Sequence, residues 1–490
     1  MDRRWFCRSA IAVGVSAAFP ACSRKPPDAT QADTSIPAVS LDGAEIELDR
    51  AAVRELGESL SGPVLLSGHP QYDTARKIWN GMHDKRPALI ARCLDNDDVS
   101  QAVSFARDHN LLLAVRGGGH SWPGHSVCDR GLMIDLSQMN KVTVDTGAQR
   151  ARAGGGALLN TLDSTVLPQG LVTTAGVVSH TGVGGLTLGG GYGRLNRKYG
   201  LAIDNLKGAT IVTADGRTRT ISAESEPDLF WAIRGGGGNF GVVTEFEYQL
   251  HRFDRNVLSG NILWPLAQAR QVLEHYAEHA AGYSDEMYIG PFMAQLPDVG
   301  EVVGVEVVYN GDPAQGEREL AALRKVGSPL MDGVAVQDYM VSQTGEDALF
   351  APGIRSYAKN GMVKEWTQGL VDTLIAAYNP RVILGTHVAG GAVARVGETD
   401  TAFPHRNAEV MLVFVAGWTD QALDDPMIAD TRALYRAAEP YMGGYYSNIE
   451  FDHDAAAGNY GPAYPRLQKI KGQYDPKNLF RLNSNIEPAV

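Results

Sequence analysis

The sequence predicts a two-domain α+β protein, and three observations carry that prediction. Its 490 residues exceed the ~250–300 residues at which a single hydrophobic core stops growing. From Arg86 onward strand and helix patterns alternate around glycine-rich loops. Near residue 256 the texture changes, because glycine clusters nearly vanish while helical stretches alternate with apolar strands. The composition is that of an ordinary globular chain, with 44% hydrophobic and 20% charged residues and no signature of disorder. Glycine is the departure: its 55 residues fall in clusters without a collagen-like period, which marks backbone forced close to another backbone or to a bulky ligand.

Residues 1–22 read as a signal peptide. Arg3, Arg4 and Arg8 precede an apolar run from Ala10 to Phe19 that is too short to cross a bilayer. Arg3-Arg4-Trp5-Phe6 resembles a twin-arginine export signal, with a plain secretory leader as the alternative. Phe19-Pro20-Ala21-Cys22 resembles a lipoprotein cleavage site, which would put a lipid anchor on Cys22; cleavage after Ser16-Ala17-Ala18 competes with it. An exported protein is expected, periplasmic or extracellular, with membrane contact only through that anchor. Residues 23–45, rich in Pro, Asp, Thr and Ala and aperiodic, read as a flexible linker.

The apolar run Pro87 to Cys93 is followed by a helix opened by Asp95 to Asp98, with Val99, Ala102, Val103 and Ala106 on one face, and then by Leu111 to Val115. This strand, helix, strand unit runs into Arg116-Gly117-Gly118-Gly119-His120, and a further strand spans Gly131 to Leu136. Val142 to Ala153 reads as a hairpin around Asp145-Thr146-Gly147, Ala157 to Val166 as a helix, and Gly176 to Gly193 as the richest glycine tract. Leu206 to Ile221 reads as a hairpin turning at Asp215-Gly216, Pro227 to Ile233 as a short helix and Phe240 to Leu250 as an alternating strand. Residues 46–255 therefore form the first domain. In residues 256–440, helical stretches (Leu266 to Ala281, Gly316 to Lys325) alternate with strands (Val302 to Tyr309, Ala408 to Ala416). That pattern predicts an antiparallel sheet with helices to one side.

Charge and cysteine usage exclude some functions. The 44 basic and 56 acidic residues leave a net charge of −12, and no Lys/Arg block stands in the body of the chain, so nucleic acid is not an expected partner. Cys7 and Cys22 lie in the leader. Cys93 and Cys128 are far apart and outside any zinc spacing, so no metal site is expected and both read as small buried hydrophobes.

Three glycine clusters (Arg116 to Gly119, Gly182 to Gly193, Gly235 to Gly238) supply unhindered backbone N–H groups, which is what a pyrophosphate needs. A Rossmann fingerprint fails, because Gly182-Val183-Gly184-Gly185-Leu186-Thr187 lacks the third glycine. His120 stands among glycines, followed by Ser121-Trp122-Pro123-Gly124-His125-Ser126. On the residues alone it is an ordinary histidine, a weak metal pair with His125, or a neighbour of Ser121 in a near miss to a nucleophile elbow that carries proline at its last position.

Five motifs in order are more specific: Arg116 to Ser121, Gly131-Leu132-Met133-Ile134-Asp135-Leu136, Gly176-Val177 to Gly193, Arg234 to Thr244, and the ending Tyr474-Asp475-Pro476 to Asn483-Ser484-Asn485-Ile486-Glu487-Pro488. Together they resemble the berberine-bridge-enzyme-like oxidases of the vanillyl-alcohol-oxidase/p-cresol-methylhydroxylase (PCMH) superfamily, over about Gly68 to Pro488. The resemblance implies a PCMH-type FAD-binding domain to which residues 441–490 return, roofed by the substrate domain. It implies covalent attachment of FAD to His120 and a loop of Arg116, Gly117, Gly118, Gly119 and Ser121 around the pyrophosphate. Gly182, Gly184, Gly185, Gly189, Gly190, Gly191 and Gly193 would lie along the isoalloxazine, with Gly241, Val242 and Val243 at the adenosine end. It further assigns His125, Gly176, Val177, Val178, Thr181, Asp204, Asn483 and Asn485 to the cofactor site.

The departures are informative. Many family members carry a second, cysteinyl link where this chain has Val178, so a single covalent link is implied. Thr181 occupies the family's oxygen-gatekeeper position and is about valine-sized, which points to an oxidase. The family's Tyr-x-Asn-Tyr segment appears as Tyr446-Ser447-Asn448-Ile449, so the usual base is missing and Tyr445, Tyr446, Glu450 and Tyr460 remain candidates. Clustered tyrosines also pack in cores without catalysis. Phe403-Pro404-His405-Arg406 and Gly390-Gly391 also match the family and read as structural. The implied function is an FAD-dependent oxidase that removes a hydride from a small alcohol, sugar or amine and passes the electrons to oxygen, giving hydrogen peroxide. The alternatives are a flavin dehydrogenase with another acceptor, a serine hydrolase on Ser121, and a non-catalytic exported binding lipoprotein. Fold analogy does not choose the substrate.

Overall fold

The computed structural model describes residues 34–451 and 456–489, so the leader, the Cys22 anchor and the start of the linker lie outside the described residues. The expected linker ends sooner than its composition suggested. Ser35–Val39 pairs antiparallel with Glu45–Asp49, and Val39 N–H donates to Arg130 O at 2.8 Å. Ile36, Ala38 and Leu48 enter the core while Pro37 stands at an exposed alternate position, where a strand tolerates proline.

A four-stranded sheet follows in the order Val64–Leu66, Leu89–Arg92, Leu132–Asp135, Leu113–Arg116, with its last three strands parallel. The helix Asn96–Asp108 carries the chain from Leu89–Arg92 across to Leu113–Arg116, and Leu132–Asp135 takes the place between them. Asp95 caps it by accepting from Asp98 N–H, and it buries Val99, Ala102, Val103 and Ala106. Beside it stands an antiparallel sheet in the order Thr218–Ser222, Leu206–Val212, Val242–Gln249, Arg150–Gly154, Val142–Asp145. Cys93 and Cys128 are buried free thiols.

An eight-stranded antiparallel sheet occupies residues from Asn256 to Trp418. Its central order is Asn256–Pro265, Gly300–Tyr309, Met287–Leu296, Ile383–Val388, Val410–Trp418, Arg355–Val363. The Val410–Trp418 strand is apolar almost throughout because both of its faces are covered. Val410, Leu412 and Phe414 pack with Leu370, Leu374 and Leu434 from the helices Gln368–Ala377 and Asp424–Ala438. Met411, Val413 and Val415 point the other way, toward Tyr192, Phe403 and Tyr446, as the period of two along a strand demands. The helix expected from Gly316 begins earlier, at Pro313–Leu320, because Asp312 caps Ala314 N–H and Pro313 fits the first helical position.

The C-terminal helix Tyr464–Tyr474 returns to the first half of the chain. Fully buried Lys471 donates to Asn239 O at 2.7 Å, Phe480 O at 3.0 Å and Asp475 Oδ2 at 2.6 Å. Removing one partner of a buried ion pair costs about 3–5 kcal/mol, since the other charge stays behind. Lys471→Met is therefore expected to lower the urea midpoint of unfolding by a corresponding amount, and an unchanged midpoint would contradict this role.

Candidate functional site

The strand Leu113–Arg116 delivers the loop Gly117 to His120 into the space between the sheets. Gly118 meets Gly182 backbone to backbone: a Cβ on Gly118 would stand 2.4 Å from Gly182 Cα, which no side chain survives. Among the described residues, the amides of Gly117, Gly118 and Gly119 donate to no protein acceptor. An added Cβ on Gly185 would meet nothing within 4 Å, so that glycine opens onto free space. His120 stacks on Trp79 with ring centroids 4.2 Å apart and planes 11° from parallel. Its Nε2 is buried without a hydrogen-bond partner, and burial, reinforced by neighbouring His180, lowers its pKa to about 3. The ring is a neutral imidazole.

One cavity joins both halves of the molecule. Of the predicted residues, Gly117, Gly118, Gly119, His120, Ser121, His125, Val177, Val178, Thr181, Gly182, Gly184 and Gly185 line it, together with Gly241, Val242, Val243, Asn483, Tyr446 and Tyr460. The loop amides and the glycine backbone fit a dinucleotide held through its phosphates beside His120.

Other predicted residues lie off the cavity walls. Arg116 turns back and donates to Ala75 O at 2.8 Å. Gly176, Gly189, Gly190, Gly191 and Gly193 serve protein–protein closeness instead; a Cβ on Gly193 would stand 1.7 Å from Ala175 O, and one on Gly189 would enter the Asn448 side chain at 2.3 Å. Asp204 forms a two-pronged pair with buried Arg406, both contacts at 2.8 Å, so its position is structural. Asn485 is absent from the cavity walls, as is Tyr445. Glu450 also lies off them and pairs with Lys359 in the buried interior.

Tyr446 reaches the cavity with its hydroxyl fully engaged. It accepts from Gly191 N–H at 3.1 Å and Asn448 Nδ2 at 2.8 Å, and donates to Leu186 O at 3.3 Å. Burial pushes its pKa up to about 12, which removes it as a base near neutrality. Burial also raises Tyr460. Tyr446 is a clamp that holds the Leu186 to Gly191 turn.

Several cavity residues carry no signal in the sequence. Tyr192 packs edge-on to Tyr446 at 5.5 Å and lies 6.1 Å from His387. Val413, Val415, Phe350 and Ile449 supply apolar wall, and Glu346 stands among them. Glu346 accepts from Arg194 Nη2 at 2.7 Å, while Arg194 Nε meets Glu306 at 2.6 Å and Nη1 donates to Val177 O at 2.8 Å. Burial raises the Glu346 carboxyl above the ordinary carboxylate range. Trp79, which supports His120, sits in no recognisable motif.

These features define a flavin-dependent oxidoreductase site. The chain matches the profile of the FAD binding domain family over residues 87–222 and that of the berberine and berberine-like family over residues 441–487. It is 34% identical to the (R)-6-hydroxynicotine oxidase of Paenarthrobacter nicotinovorans over 449 residues, covering 88% of this chain and 97% of that protein. An FAD-linked oxidoreductase of Dictyostelium discoideum is 33% identical over 444 residues, covering 89% and 97%. The crystal structure of 6-hydroxy-D-nicotine oxidase from Arthrobacter nicotinovorans superposes with a TM-score of 0.79 at 32% identity, covering 88% of this chain and 99% of that one. A chitooligosaccharide oxidase superposes with a TM-score of 0.80 at 25% identity, covering 90% and 100%. The chain belongs to the berberine-bridge-enzyme-like FAD-linked oxidoreductases. It is an FAD-binding enzyme, and the hydrolase and non-catalytic readings give way.

Burial, helped by Arg194, lowers the pKa of His387 from its ordinary 6.5 to about 4. An unfolded chain takes up that proton first as pH falls, so the neutral ring contributes stability above about 6.5 that is lost between there and about 4. His387→Gln is expected to flatten the fall of the thermal midpoint across that window; an unchanged slope would show that the ring does not titrate there.

Proposed function

We propose that the protein is an oxidase carrying FAD through a single covalent bond to His120, acting on a compact alcohol or amine with an apolar body and passing the electrons to oxygen. The observation that carries this reading is the neutral, stacked His120 whose Nε2 is buried in the cavity wall without a partner. A neutral imidazole keeps, on one of its two nitrogens, the lone pair that a covalent bond requires.

When bound, FAD supplies the two-electron acceptor for the substrate's C–H bond. The chain's own residues do the rest. Gly117, Gly118 and Gly119 hold the pyrophosphate through free amides, and Val242 and Val243 flank the adenosine end. Val178 is a cavity-lining side chain that cannot form a thioether, so attachment stays single. Thr181 guards the approach of oxygen. Val413, Val415, Phe350 and Tyr192 offer a mostly apolar wall, which suits a compact apolar body better than a sugar chain bristling with hydroxyls. The kinship with an enzyme named for oxidising 6-hydroxynicotine supports an amine within that class. We also propose that the protein is exported through its Arg3-Arg4 leader, with Cys22 as the lipid-bearing residue. N-terminal mass analysis of the mature protein reads both points, and an intact leader on the mature protein would refute them.

Acid-precipitated wild-type protein is expected to stay yellow and His120→Ala to release its colour; a colourless wild type expressed with ample riboflavin would overturn the assignment. A peroxide-detecting screen with (R)-6-hydroxynicotine, benzylamine and benzyl alcohol tests the substrate class. In Thr181→Leu, reoxidation of the reduced protein by oxygen is expected to slow by at least about tenfold, or roughly 1.4 kcal/mol of barrier, while substrate-driven reduction changes little. Equal reoxidation rates would remove Thr181 from the oxygen path.

A further inference from the structure

We propose that His387 is the catalytic base: its imidazole takes the proton from the O–H or N–H of a small alcohol or amine whose adjacent C–H surrenders a hydride. The inference rests on the flavoenzyme reading above and adds the one group that reading leaves open. The step balances. The C–H electron pair departs with its hydrogen as hydride to the bound flavin, the O–H or N–H bond breaks with its proton going to His387, and the freed pair closes the C=O or C=N bond. The hydride and that proton together account for the two hydrogens of hydrogen peroxide once oxygen takes the electrons.

Four observations converge on this residue. His387 projects from the strand Ile383–Val388 into the same cavity that His120 lines. The neighbouring strand in its sheet presents Val413 and Val415 to that cavity, so the imidazole is a polar group on a largely apolar wall. Its Nδ1 is buried without a hydrogen-bond partner, whereas three neighbouring groups are committed and burial holds the proton on the Tyr460 hydroxyl. The Tyr446 hydroxyl is saturated by Gly191, Asn448 and Leu186, the Tyr192 hydroxyl points to Met362 Sδ at 3.8 Å, and Glu346 is held by Arg194.

The titratable groups packed about the ring set its protonation state. They are Tyr192, Tyr288 (whose hydroxyl donates to Thr386 O at 3.3 Å), Arg194 and Arg194's two carboxylates, Glu306 and Glu346. Burial and the Arg194 charge hold the imidazole neutral at physiological pH. When a substrate proton arrives, the Glu306 and Glu346 carboxylates partly offset the repulsion from Arg194.

The test uses the covalent holoenzyme and anaerobic stopped-flow bleaching of its flavin by (R)-6-hydroxynicotine, benzylamine and benzyl alcohol. In His387→Gln the saturating bleaching rate is expected to fall at least about 100-fold, the scale of a lost general base, with half-saturation moving less than about threefold. The oxidised flavin spectrum should be unchanged, which reports an intact fold. The acid limb of kcat/KM against pH should vanish in that variant. His387→Ala should recover at least about tenfold on addition of imidazole, which a merely structural role would not give. Bleaching within about threefold of wild type, an unaltered acid limb, or a comparable loss in Glu346→Gln with none in His387→Gln overturns the assignment. Wild-type protein that holds flavin but is bleached by none of the probes removes the proposed substrate class and this inference with it, whereas bleaching that persists in His387→Gln removes this inference alone.

Discussion

The site depends on one contact without side chains, the approach of Gly118 to Gly182. A Cβ on Gly118 would sit 2.4 Å from Gly182 Cα, and one on Gly182 would sit 2.6 Å from Gly118 N. Where the two loops touch at backbone distance, the amides of Gly117, Gly118 and Gly119 have no protein acceptor among the described residues and stand beside the cavity, which is the arrangement a pyrophosphate requires. The first loop is fixed by a strand at the edge of the four-stranded sheet. The second is fixed by the short helix Val183–Leu188, whose first amide donates to Ala157 O at 2.9 Å. Because His120 follows Gly119 directly, the same contact sets where the imidazole stands against Trp79.

A second constraint joins the two halves of the cavity. Arg194 belongs to the glycine tract, yet its guanidinium reaches Glu306 in the eight-stranded sheet, Glu346 in the following loop and Val177 O in its own tract. Nearby, Asp347 accepts from Ser179 N–H at 2.8 Å and Ser179 Oγ at 2.6 Å, and Gln343 donates to Gly176 O at 3.2 Å. A buried guanidinium is costly unless its donors are met, and here they are met only when both halves are in place. The substrate wall is thereby held in register with the glycine loops.

Much of this was legible in the sequence, and the boundary of legibility has a physical cause. Gly117 to Ser121, Val177 to Gly185, and Gly241 to Val243 lie in contiguous stretches whose glycine pattern announces close approach, and all three stretches reach the cavity. The same pattern misled at Gly189 to Gly193, because a glycine needed against Ala175 O or Asn448 looks no different from one needed against a cofactor. Asp204 misled because its partner Arg406 lies far along the chain. His387 was invisible for a related reason: nothing in Ile383-Leu384-Gly385-Thr386-His387-Val388 marks it. Its position follows from strand register opposite Met411 and from which face of the sheet meets the glycine tract. Val413 and Val415 likewise read as core until the alternation of their strand was placed between two covering layers.

The apolar cavity also dictates which side chains can act in it. Removing a group from water penalises its charged form. A phenol becomes useful as a base only when charged, so burial disarms it, and Tyr446 moves up to about 12. An imidazole is useful as a base or nucleophile when neutral, so the same burial leaves it in its usable form while weakening its basicity: His120 moves down to about 3 and His387 to about 4. Tyrosines at positions 445, 446 and 460 attract attention by number, but the dry surroundings that bury 446 and 460 also hold their protons on. In such a cavity His120 and His387 stay neutral and each keeps an unpartnered ring nitrogen, one beside the glycine loops and one on the opposing sheet, with the cavity between the elements that carry them.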